Sequence, residues 1–331
     1  MLRLGLIGAS NQGREHLQGA AFSDKARFAV VCDASEDVRV QVREDYPQVP
    51  CVATIREMME EVELDGVVLA LPHHVYCEIW QELMVAGLPT LKEKPLGRTL
   101  SEANRFIAEA RKAGCPLVTA IQRREHQSYR ILKEQLPGAV VRSIRADLHL
   151  GFDPNETPRS WRGDPSNAGG GALLDSGYHM VDLVHYLVGP ITLFSASIWA
   201  QDSPGLPEML ETDATLLGRS GATWVRIESQ VGGRPDSSRP SGYAKNEEVV
   251  LETDRGVFVA DRSQVVRNGE TIWTGARDWQ QAMTAQIDAF AERIRTDRFD
   301  DPNVWAQIPA MRVIEEAYGL ARLVGPVEGG R

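Results

Sequence analysis

Short apolar segments alternate with amphipathic helical stretches along the first 120 residues of this chain, and this alternation most strongly constrains its fold. The apolar segments lie at residues 4–7, 28–32, 66–71, 89–91 and 117–120. Strand, helix and strand in this rhythm predict a parallel sheet with helical crossovers. The whole chain of 331 residues is too long for one core and suits two domains.

The pattern changes after residue 122. Residues 140–150 alternate apolar and polar side chains, which is the period of a half-buried strand. Similar segments lie at residues 191–200, 212–217, 222–231, 248–253 and 257–260. Long helical patterns do not separate them, so they predict a mostly antiparallel sheet. Two amphipathic helices, beginning near residues 279 and 304, close the sequence.

The charge balance and the cysteine pattern argue against several classes of protein. A formal net charge of −10 disfavours a nucleic acid or an anionic membrane as the main partner. The four cysteines are scattered without a C-x-x-C pair, which predicts reduced thiols. The first apolar run stops at Asn11-Gln12, too early for a signal sequence, so we expect a cytoplasmic protein. His73-His74-x-x-Cys77 lacks further ligands nearby, so no metal is expected.

A glycine-rich turn follows the first strand directly, from Gly8 to Gly13. Gly8 permits the tight turn, and Gly13 lets the following helix pack closely on the strand. Backbone N–H groups at the start of that helix would face a pyrophosphate. Ser10 replaces the middle glycine of the usual fingerprint, but the position between strand and helix supports nucleotide binding. The expected contacts are Gly8, Ser10, Asn11, Gln12 and Gly13.

Asp33 ends the second strand, twenty residues beyond Gly13. A carboxylate there can accept hydrogen bonds from the adenosine ribose hydroxyls, and it would repel a 2′-phosphate. The next residues, Ala34, Ser35 and Glu36, offer no arginine, so NAD is favoured over NADP. Asp33 could instead cap the following helix. Methyltransferases also combine a glycine-rich first turn with an acidic second strand end, which leaves that class open.

Two further segments stand at carboxyl ends of predicted strands. Pro72 and His73 follow the predicted strand at residues 66–71, at the end where an open α/β sheet binds its ligand. Lys94 follows the predicted strand at residues 89–91 and precedes Pro95, which fixes the backbone. An ammonium held there would stabilise a developing alkoxide in a water-poor cleft.

A triple glycine precedes Asp175 and His179, which are four residues apart. On a helix this spacing places the carboxylate and the imidazole on one face. Histidine titrates near neutral pH, and a neighbouring carboxylate can hold it in one tautomer for proton transfer. An ordinary surface hydrogen bond between the two is the alternative. Trp161 and Arg162 lie before the glycines and could roof a pocket, although Arg162 could equally form a surface ion pair.

The nucleotide turn, the Glu93-Lys94-Pro95 segment and the Asp175/His179 pair, in that order, resemble the Gfo/Idh/MocA oxidoreductase family over nearly the whole chain. The resemblance implies an NAD-binding Rossmann domain at residues 1–121. It also implies an α+β substrate-binding and oligomerisation domain at residues 122–331, with the active site in the cleft between the two. The fold class is α/β plus α+β, with a parallel sheet first and a large, mostly antiparallel open sheet second.

The resemblance also implies roles for individual residues. Lys94 would hold the reacting oxygen, Asp175 would orient it, and His179 would transfer the proton. Further cofactor contacts are implied for Pro72, His73, Glu93, Lys94 and Gln122. Substrate contacts are implied for Lys94, Trp161, Arg162, Asp175 and His179. The family usually has Thr-Pro-Asn and a later His where this chain has Leu71, His73 and Tyr76, so the roles of His73 and Tyr76 stay open.

The implied function is NAD-dependent oxidation of a secondary alcohol on a sugar, cyclitol or related polyol. An NAD-dependent glycosidase of the same fold and a sugar-sensing regulator without turnover are the alternatives. Some second-domain strands look apolar on both faces, as with Leu193 and Trp199 against Phe194 and Ile198. This pattern predicts a homodimer or homotetramer formed through that sheet.

Overall fold

The computed structural model describes residues 1–151, 161–200, 210–233, 244–276, 279–299 and 307–323. The chain forms two compact units. The first consists of Met1–Gly97, Ser101–His126 and Asp278–Gln307, and the second of Arg98–Leu100, Gln127–Arg277 and Ile308–Arg331. Among the described residues, no helix has the length and apolar character needed to cross a bilayer.

The first unit is built on a six-stranded sheet in which all neighbouring strands are parallel. Its strands are β1 Leu2–Ile7, β2 Ala26–Cys32, β3 Cys51–Val52, β4 Gly66–Leu69, β5 Thr90–Glu93 and β6 Leu117–Ala120, in the order β3-β2-β1-β4-β5-β6. Its crossover helices are α1 Asn11–Ala21, α2 Glu36–Asp45, α3 Ile55–Glu61, α4 Val75–Ala86 and α5 Leu100–Ala113. The predicted parallel sheet is confirmed, and β3 is a short strand that the apolar pattern did not indicate.

The strand order places a binding edge at one end of this sheet. From β1 the chain proceeds to β2 and β3 on one side, and then to β4, β5 and β6 on the other. Leu4, Leu6 and Val68 are fully buried in the middle of β1 and β4. An open sheet of this kind binds its ligand beyond the carboxyl ends of the strands, at the point where the order reverses. The turns after β1, β2, β4 and β5 therefore form the expected binding edge.

The second unit contains a nine-stranded sheet. Its strands are β7 Val141–Gly151, β8 Thr192–Trp199, β9 Asp213–Ser220, β10 Thr223–Gly233, β11 Ala244–Thr253, β12 Gly256–Ala260, β13 Gln264–Arg267, β14 Glu270–Thr274 and β15 Arg322–Leu323. Their order is β14-β13-β12-β11-β7-β10-β9-β8-β15. The pairs β7/β10 and β8/β15 are parallel and the others antiparallel, which confirms the predicted mostly antiparallel sheet. The first helices of this unit are α6 Gln127–Glu134, α7 Pro165–Ala168 and α8 Tyr178–Val188.

The two faces of this sheet differ in burial. The predicted alternation of β7 is confirmed, because Ile144, Ala146 and Leu148 are all buried. On β8, however, the register shifts between Leu193 and Ser195. This bulge puts Leu193 and Ile198 in the core and leaves Phe194 exposed, so the apparent two-faced apolar pattern of β8 has a local cause.

The hairpin formed by β13 and β14 was not predicted from the apolar pattern. Asn268 and Gly269 connect the strands, and both have positive φ angles, 51° and 84°. An Asn-Gly pair is the favoured two-residue hairpin turn because both positions tolerate that conformation. The turn signal was therefore present in the sequence, although the short strands around it were too polar to stand out.

A late helix, α9 Trp279–Thr296, belongs to the first unit, whereas the last helix, α10 Gln307–Leu320, returns to the second. α9 packs so closely on α1 that a Cβ added to Gly19 would lie 2.8 Å from the Cβ of Met283. Thr284 Oγ1 also donates a hydrogen bond of 2.8 Å to the carbonyl of Gly19. The compact units thus differ from the predicted division at residue 121, because the amphipathic face of α9 did not reveal which sheet it covers.

Candidate active site

The glycine turn after β1 is held in place by close backbone approaches. Gly8 has φ +84°, and a Cβ added there would lie 2.4 Å from the carbonyl oxygen of Ala70. A Cβ added to Gly13 would lie 2.1 Å from the carbonyl oxygen of Gly8. Ser10 precedes α1 without a side-chain cap hydrogen bond. The first N–H groups of α1, starting at Asn11, have no acceptor within the helix and are suited to bind an anion.

Asp33 connects this turn to the end of β2. Its Oδ2 accepts a hydrogen bond of 2.8 Å from the N–H of Ala9, and its Oδ1 accepts one of 2.9 Å from the N–H of Ser35. Each carboxylate oxygen has a second lone pair, which can accept from a ribose hydroxyl. The alternative that Asp33 caps the next helix is wrong, because Ser35 occupies that position and accepts from the N–H of Val38.

An arginine does lie near Asp33, although the sequence argument did not find it. Nη1 of Arg39 donates a hydrogen bond of 2.5 Å to the backbone carbonyl of Asp33. The carboxylate of Glu36 binds both Arg43 and Arg39. These two hydrogen bonds lower the pKa of Glu36, and the one from Arg43 has the larger effect. Glu36 therefore partly offsets the positive charge of these two arginines near the end of β2.

Two predicted cofactor contacts present buried polar atoms that have no partner within the described part of the chain. These atoms are Nε2 of Gln12, on α1, and Oε1 of Gln122, in the short 3₁₀ helix after β6. A buried amide atom without a hydrogen bond is unfavourable by about 1–3 kcal/mol. One donor and one acceptor are thus available to a ligand, and this fits a cofactor that carries phosphates and amide groups.

The turn after β4 contains Pro72 and His73, and His73 is buried. The structure gives Tyr76 a defined role in this turn. Its hydroxyl accepts a hydrogen bond of 3.0 Å from the N–H of Leu71 and donates one of 3.3 Å to the carbonyl of Leu69. Burial raises the pKa of Tyr76. Tyr76 therefore shapes the backbone of the turn.

Glu93 ends β5, immediately before Lys94 and Pro95. Oε1 of Glu93 lies 2.8 Å from Nε2 of His16, on α1, and both side chains are buried. The Lys94-Pro95 peptide bond is cis. The Glu93–His16 contact joins the end of β5 to the helix that begins at the glycine turn. Sequence reasoning did not assign His16 any role, because its partner is distant in sequence.

In the second unit, the triple glycine at residues 169–171 is needed for close packing. A Cβ on Gly170 would lie 2.2 Å from the hydroxyl oxygen of Tyr318, on α10. A Cβ on Gly171 would lie 2.2 Å from the carbonyl oxygen of Glu211, which precedes β9. Any larger side chain would displace the segment that leads to Asp175.

Asp175 and His179 lie on a helical segment, as predicted, but this segment is not α-helical throughout. Leu173–Gly177 forms a π-helical turn, which contains Asp175, and α8 begins at Tyr178, just before His179. A four-residue step is slightly more than one turn of an α-helix and slightly less than one turn of a π-helix. Both side chains therefore remain on one side of the segment. Single π-helical turns occur frequently at functional sites.

Three of the predicted substrate residues contact one another. Nε of Arg162 donates a hydrogen bond of 3.2 Å to Oδ2 of Asp175. The guanidinium carbon of Arg162 lies 4.4 Å from the ring centroid of Trp161. The sequence left open whether Arg162 covers a pocket or forms a surface ion pair. Arg162 does form an ion pair, and its partner is Asp175, the predicted catalytic carboxylate. The arrangement offers a cation, a carboxylate and an aromatic face to a polar ligand.

The start of the π-helical turn is fixed by residues that sequence reasoning did not identify. Oε1 of Glu211 accepts hydrogen bonds from the N–H of Leu173, at 3.0 Å, and from the hydroxyl of Tyr318, at 2.7 Å. The hydroxyl of Ser229 donates one of 2.8 Å to the carbonyl of Ala172. These contacts connect three distant parts of the chain to the segment that carries Asp175.

The family comparisons agree with this geometry. Residues 2–121 match the family described as "Oxidoreductase family, NAD-binding Rossmann fold", and residues 130–259 match the "GFO/IDH/MocA C-terminal domain". The chain belongs to the Gfo/Idh/MocA oxidoreductase family.

Individual relatives are distant. The rhizopine catabolism protein MocA of Rhizobium meliloti is 28% identical over 187 residues, which are 56% of this chain and 57% of that protein. The myo-inositol 2-dehydrogenase of Thermotoga maritima is 23% identical over 301 residues, which are 89% of this chain and 86% of that protein. A solved structure of levoglucosan dehydrogenase with NADH and levoglucosan matches with a TM-score of 0.80 and 19% identity, over 96% of this chain and 97% of that chain. The chain thus spans slightly more than half the length of the first relative and most of the other two, and the structural likeness shows a shared fold.

Proposed function

We propose that this protein is an NAD-dependent dehydrogenase that oxidises a secondary alcohol of a sugar, cyclitol or related polyol. The observation that carries the proposal is the turn after β1, which the carboxylate of Asp33 holds, and the buried, unpartnered amide atoms of Gln12 and Gln122 support it. The chain belongs to a family with an NAD-binding Rossmann fold. Relatives named as dehydrogenases of myo-inositol and levoglucosan support the substrate class.

The cofactor would be NAD. Asp33 would accept hydrogen bonds from the ribose hydroxyls, and the first N–H groups of α1 would bind the pyrophosphate. Gly8, Ser10, Asn11 and Gly13 would let the backbone approach it, while Gln12 and Gln122 would contribute their free amide atoms. Pro72, His73 and Glu93 remain proposed contacts at the neighbouring turns. NADP is disfavoured because Asp33 and Glu36 are both negatively charged.

The proposed chemistry removes two hydrogens from the alcohol, the hydroxyl hydrogen as a proton and the carbon-bound hydrogen as a hydride. His179 would take the hydroxyl proton as general base, and Lys94 would stabilise the negative charge that develops on the oxygen. Asp175 would orient the hydroxyl, and its ion pair with Arg162 fixes the direction of the carboxylate. Trp161 would cover an apolar face of the sugar ring. Hydride acceptance is the chemistry that NAD supplies when bound.

A spectroscopic screen tests this function. Purified protein with NAD at mildly alkaline pH is offered free cyclitols, aldoses, sugar acids and glycosides. Oxidation releases a proton, so alkaline pH favours it, and NADH absorbance is expected with at least one free sugar or polyol. Release of aglycone without net NADH would assign a glycosidase instead. Ligand-induced shifts in melting temperature without any turnover would assign a sensing protein.

A homo-oligomer formed through the exposed face of the second sheet is part of the proposal. Phe194, Leu217 and Trp224 lie on the neighbouring strands β8, β9 and β10 and are 50%, 44% and 65% exposed. The ring centroids of Phe194 and Trp224 lie 5.8 Å apart, and the rings meet edge to face. The ion pair of Arg145 with Glu248 lies on the same sheet. Apolar side chains beside charges of both signs suit a self-complementary two-fold interface.

Light scattering at micromolar concentration tests the oligomer, and a dimer or tetramer is expected. Trp224→Glu should shift the equilibrium toward the monomer, because it places a charge in the proposed contact. A monomeric wild-type protein would overturn the proposed oligomer.

A cytoplasmic location is also proposed, and the four free cysteines support it.

A further inference from the structure

Lys92 is a buried basic residue two positions before Lys94, and sequence analysis gave it no role. It lies on β5 and is 1% exposed. Its Nζ donates hydrogen bonds to the backbone carbonyls of Glu93, at 3.1 Å, and of Pro95, at 2.7 Å. These carbonyls belong to the residues before and after Lys94. One amine therefore holds the backbone on both sides of the proposed catalytic lysine.

Two aromatic rings lie near the amine of Lys92. Nζ of Lys92 lies 3.6 Å from the ring centroid of Tyr76 and 5.9 Å from that of Phe106. Cation–π attraction offsets part of the cost of burying the ammonium. The hydroxyl of Tyr76 holds the turn after β4 through Leu71 and Leu69. Lys92 thus links the turn after β4 to the turn after β5, and both turns lie at the binding edge.

The charge of Lys92 is costly where it stands. Burial lowers the pKa of its amine to about 7, while the carboxylates of Glu102 and Glu93 oppose this shift. The other titratable or charged groups that act on it are Cys77, whose thiol donates a hydrogen bond of 2.5 Å to Glu102, and Lys94. An apolar side chain would fill this space without a desolvation cost. Packing alone does not explain a lysine here.

We propose that Lys92 is a positioning residue for Lys94, and that it acts by holding the carbonyls of Glu93 and Pro95 so that the turn after β5 keeps one conformation. The inference rests on the proposed dehydrogenase function, in which Lys94 contacts the reacting oxygen. A misplacement of about 1 Å at a catalytic group can lower the rate by about 10²-fold. A looser turn should therefore reduce turnover and spare the adenosine end of the cofactor site, which lies at β1 and β2.

The test compares Lys92→Met with a matched control on the same strand. Methionine has a similar length but cannot donate to either carbonyl. Thr90 is equally buried, and its Oγ1 donates to the carbonyl of Leu88, at the opposite end of β5. Thr90→Val therefore also removes a buried hydrogen bond. Lys92→Met should lower kcat roughly 10- to 100-fold at an unchanged NAD dissociation constant, whereas Thr90→Val should retain kcat.

A parallel Lys94→Met variant separates failure of this inference from failure of the proposed function. If Lys94→Met abolishes turnover while Lys92→Met keeps the wild-type kcat, the positioning role is overturned and the dehydrogenase stands. If Lys94→Met keeps turnover, the catalytic assignment of Lys94 is wrong, and the role of Lys92 falls with it. If Lys92→Met and Thr90→Val lower kcat equally, Lys92 has only a structural role. Where Lys92→Met does not fold, Lys92→Gln, which can still donate to one carbonyl, takes its place with the same criteria.

Discussion

The two glycine turns that carry the candidate residues differ in what makes their glycines necessary. Around Gly8 and Gly13 the close approaches come from the turn itself and from the end of the adjacent strand. Around Gly170 and Gly171 they come from Tyr318 and Glu211, which are distant in sequence. In the first turn the approach of Gly13 to Gly8 is therefore a local strand-to-helix feature that a motif can describe, whereas both close approaches in the second turn depend on the tertiary fold. The first should govern cofactor binding and the second catalytic geometry.

The largest expected effect concerns the proposed chemistry and leaves both turns intact. Lys94→Met or His179→Gln should lower turnover by about 10²- to 10⁴-fold, which is the usual contribution of an acid-base group. NAD affinity should fall far less than turnover, because the nucleotide turn does not involve either side chain. Single-turnover kinetics and fluorescence titration with NAD measure the two quantities separately.

The control for these variants is Lys25→Met. Lys25 pairs with Glu292 at the surface at 3.5 Å, so it tests the loss of a lysine charge without a catalytic role. Its turnover should match the wild type. Loss of NAD binding in His179→Gln, with normal turnover per bound cofactor, would give His179 a structural role instead.

The next prediction exchanges the glycines of the two turns for alanine. Gly13→Ala places a Cβ 2.1 Å from the carbonyl of Gly8, and it should weaken NAD binding at least tenfold, or about 1.4 kcal/mol. Gly171→Ala places a Cβ 2.2 Å from the carbonyl of Glu211, and it should lower kcat at unchanged NAD affinity. Calorimetric titration with NAD and steady-state kinetics distinguish the two effects.

If Gly13→Ala and Gly171→Ala had the same effects on NAD affinity and on kcat, the proposed difference between the two turns would be wrong. Gly114→Ala is a suitable control, since Gly114 also has a positive φ angle but has open space around its Cβ position. It should lose some stability through backbone strain and keep both binding and turnover.

The same difference, between contacts within one motif and contacts from distant parts of the chain, determines how much of the site the sequence could predict. Periodicity predicted β1, β2, β4, β5 and β6, because a parallel sheet buried on both faces leaves continuous apolar runs. Motifs predicted Gly8, Gly13 and Asp33, because the spacing of these residues is typical of a single strand-helix-strand unit. Glu211 and Tyr318 were not found, because their partners lie in other elements and no short pattern records such contacts. The π-helical form of the turn at Asp175 was missed for the same reason, since Leu173 is held by Glu211.

Buried polar residues were the other failure of the sequence argument. Lys92 and His16 lie at positions that periodicity marks as interior, yet composition alone gives no partner for either. The contact of His16 with Glu93 and those of Lys92 with two carbonyls become visible only in the fold. Arg39 is nearer in sequence, but it stands one helical turn beyond Ala34, Ser35 and Glu36, and its side chain folds back to the carbonyl of Asp33.

The third prediction concerns the choice of cofactor at the first turn. NAD should raise the melting temperature more than NADP at equal concentration, since the ligand with the lower dissociation constant stabilises the folded state more. Asp33→Ala should narrow the difference, because Arg39 binds the backbone carbonyl of Asp33 and would remain beside a 2′-phosphate. Asp37→Ala is the control, because it removes an exposed carboxylate from α2, the helix that carries Arg39. A larger shift with NADP in the wild type would overturn the assignment.

The smallest expected effect is a pH response at the turn after β5, whose backbone carbonyls Lys92 holds. Burial lowers the pKa of Lys92 from 10.5 to about 7. Between these values the unfolded chain carries a proton that the folded chain does not, so folding stability rises with pH, by at most about 1.4 kcal/mol per pH unit. Below the lower value both states are protonated, and the cost of the buried charge is present in full. Lys92→Met removes this contribution at every pH.

The melting temperature of Lys92→Met should therefore exceed that of the wild type most at about pH 6, and the difference should shrink toward about pH 9. A change of 1 kcal/mol corresponds to about 2–4 °C for a protein unit of this size, so the trend is measurable by calorimetry. Thr90→Val again serves as the control, because the side chain that it replaces does not titrate, and its difference from the wild type should not vary with pH. A constant difference for Lys92→Met would show that the amine keeps its ordinary pKa, and the turn after β5 would then have no support that depends on pH.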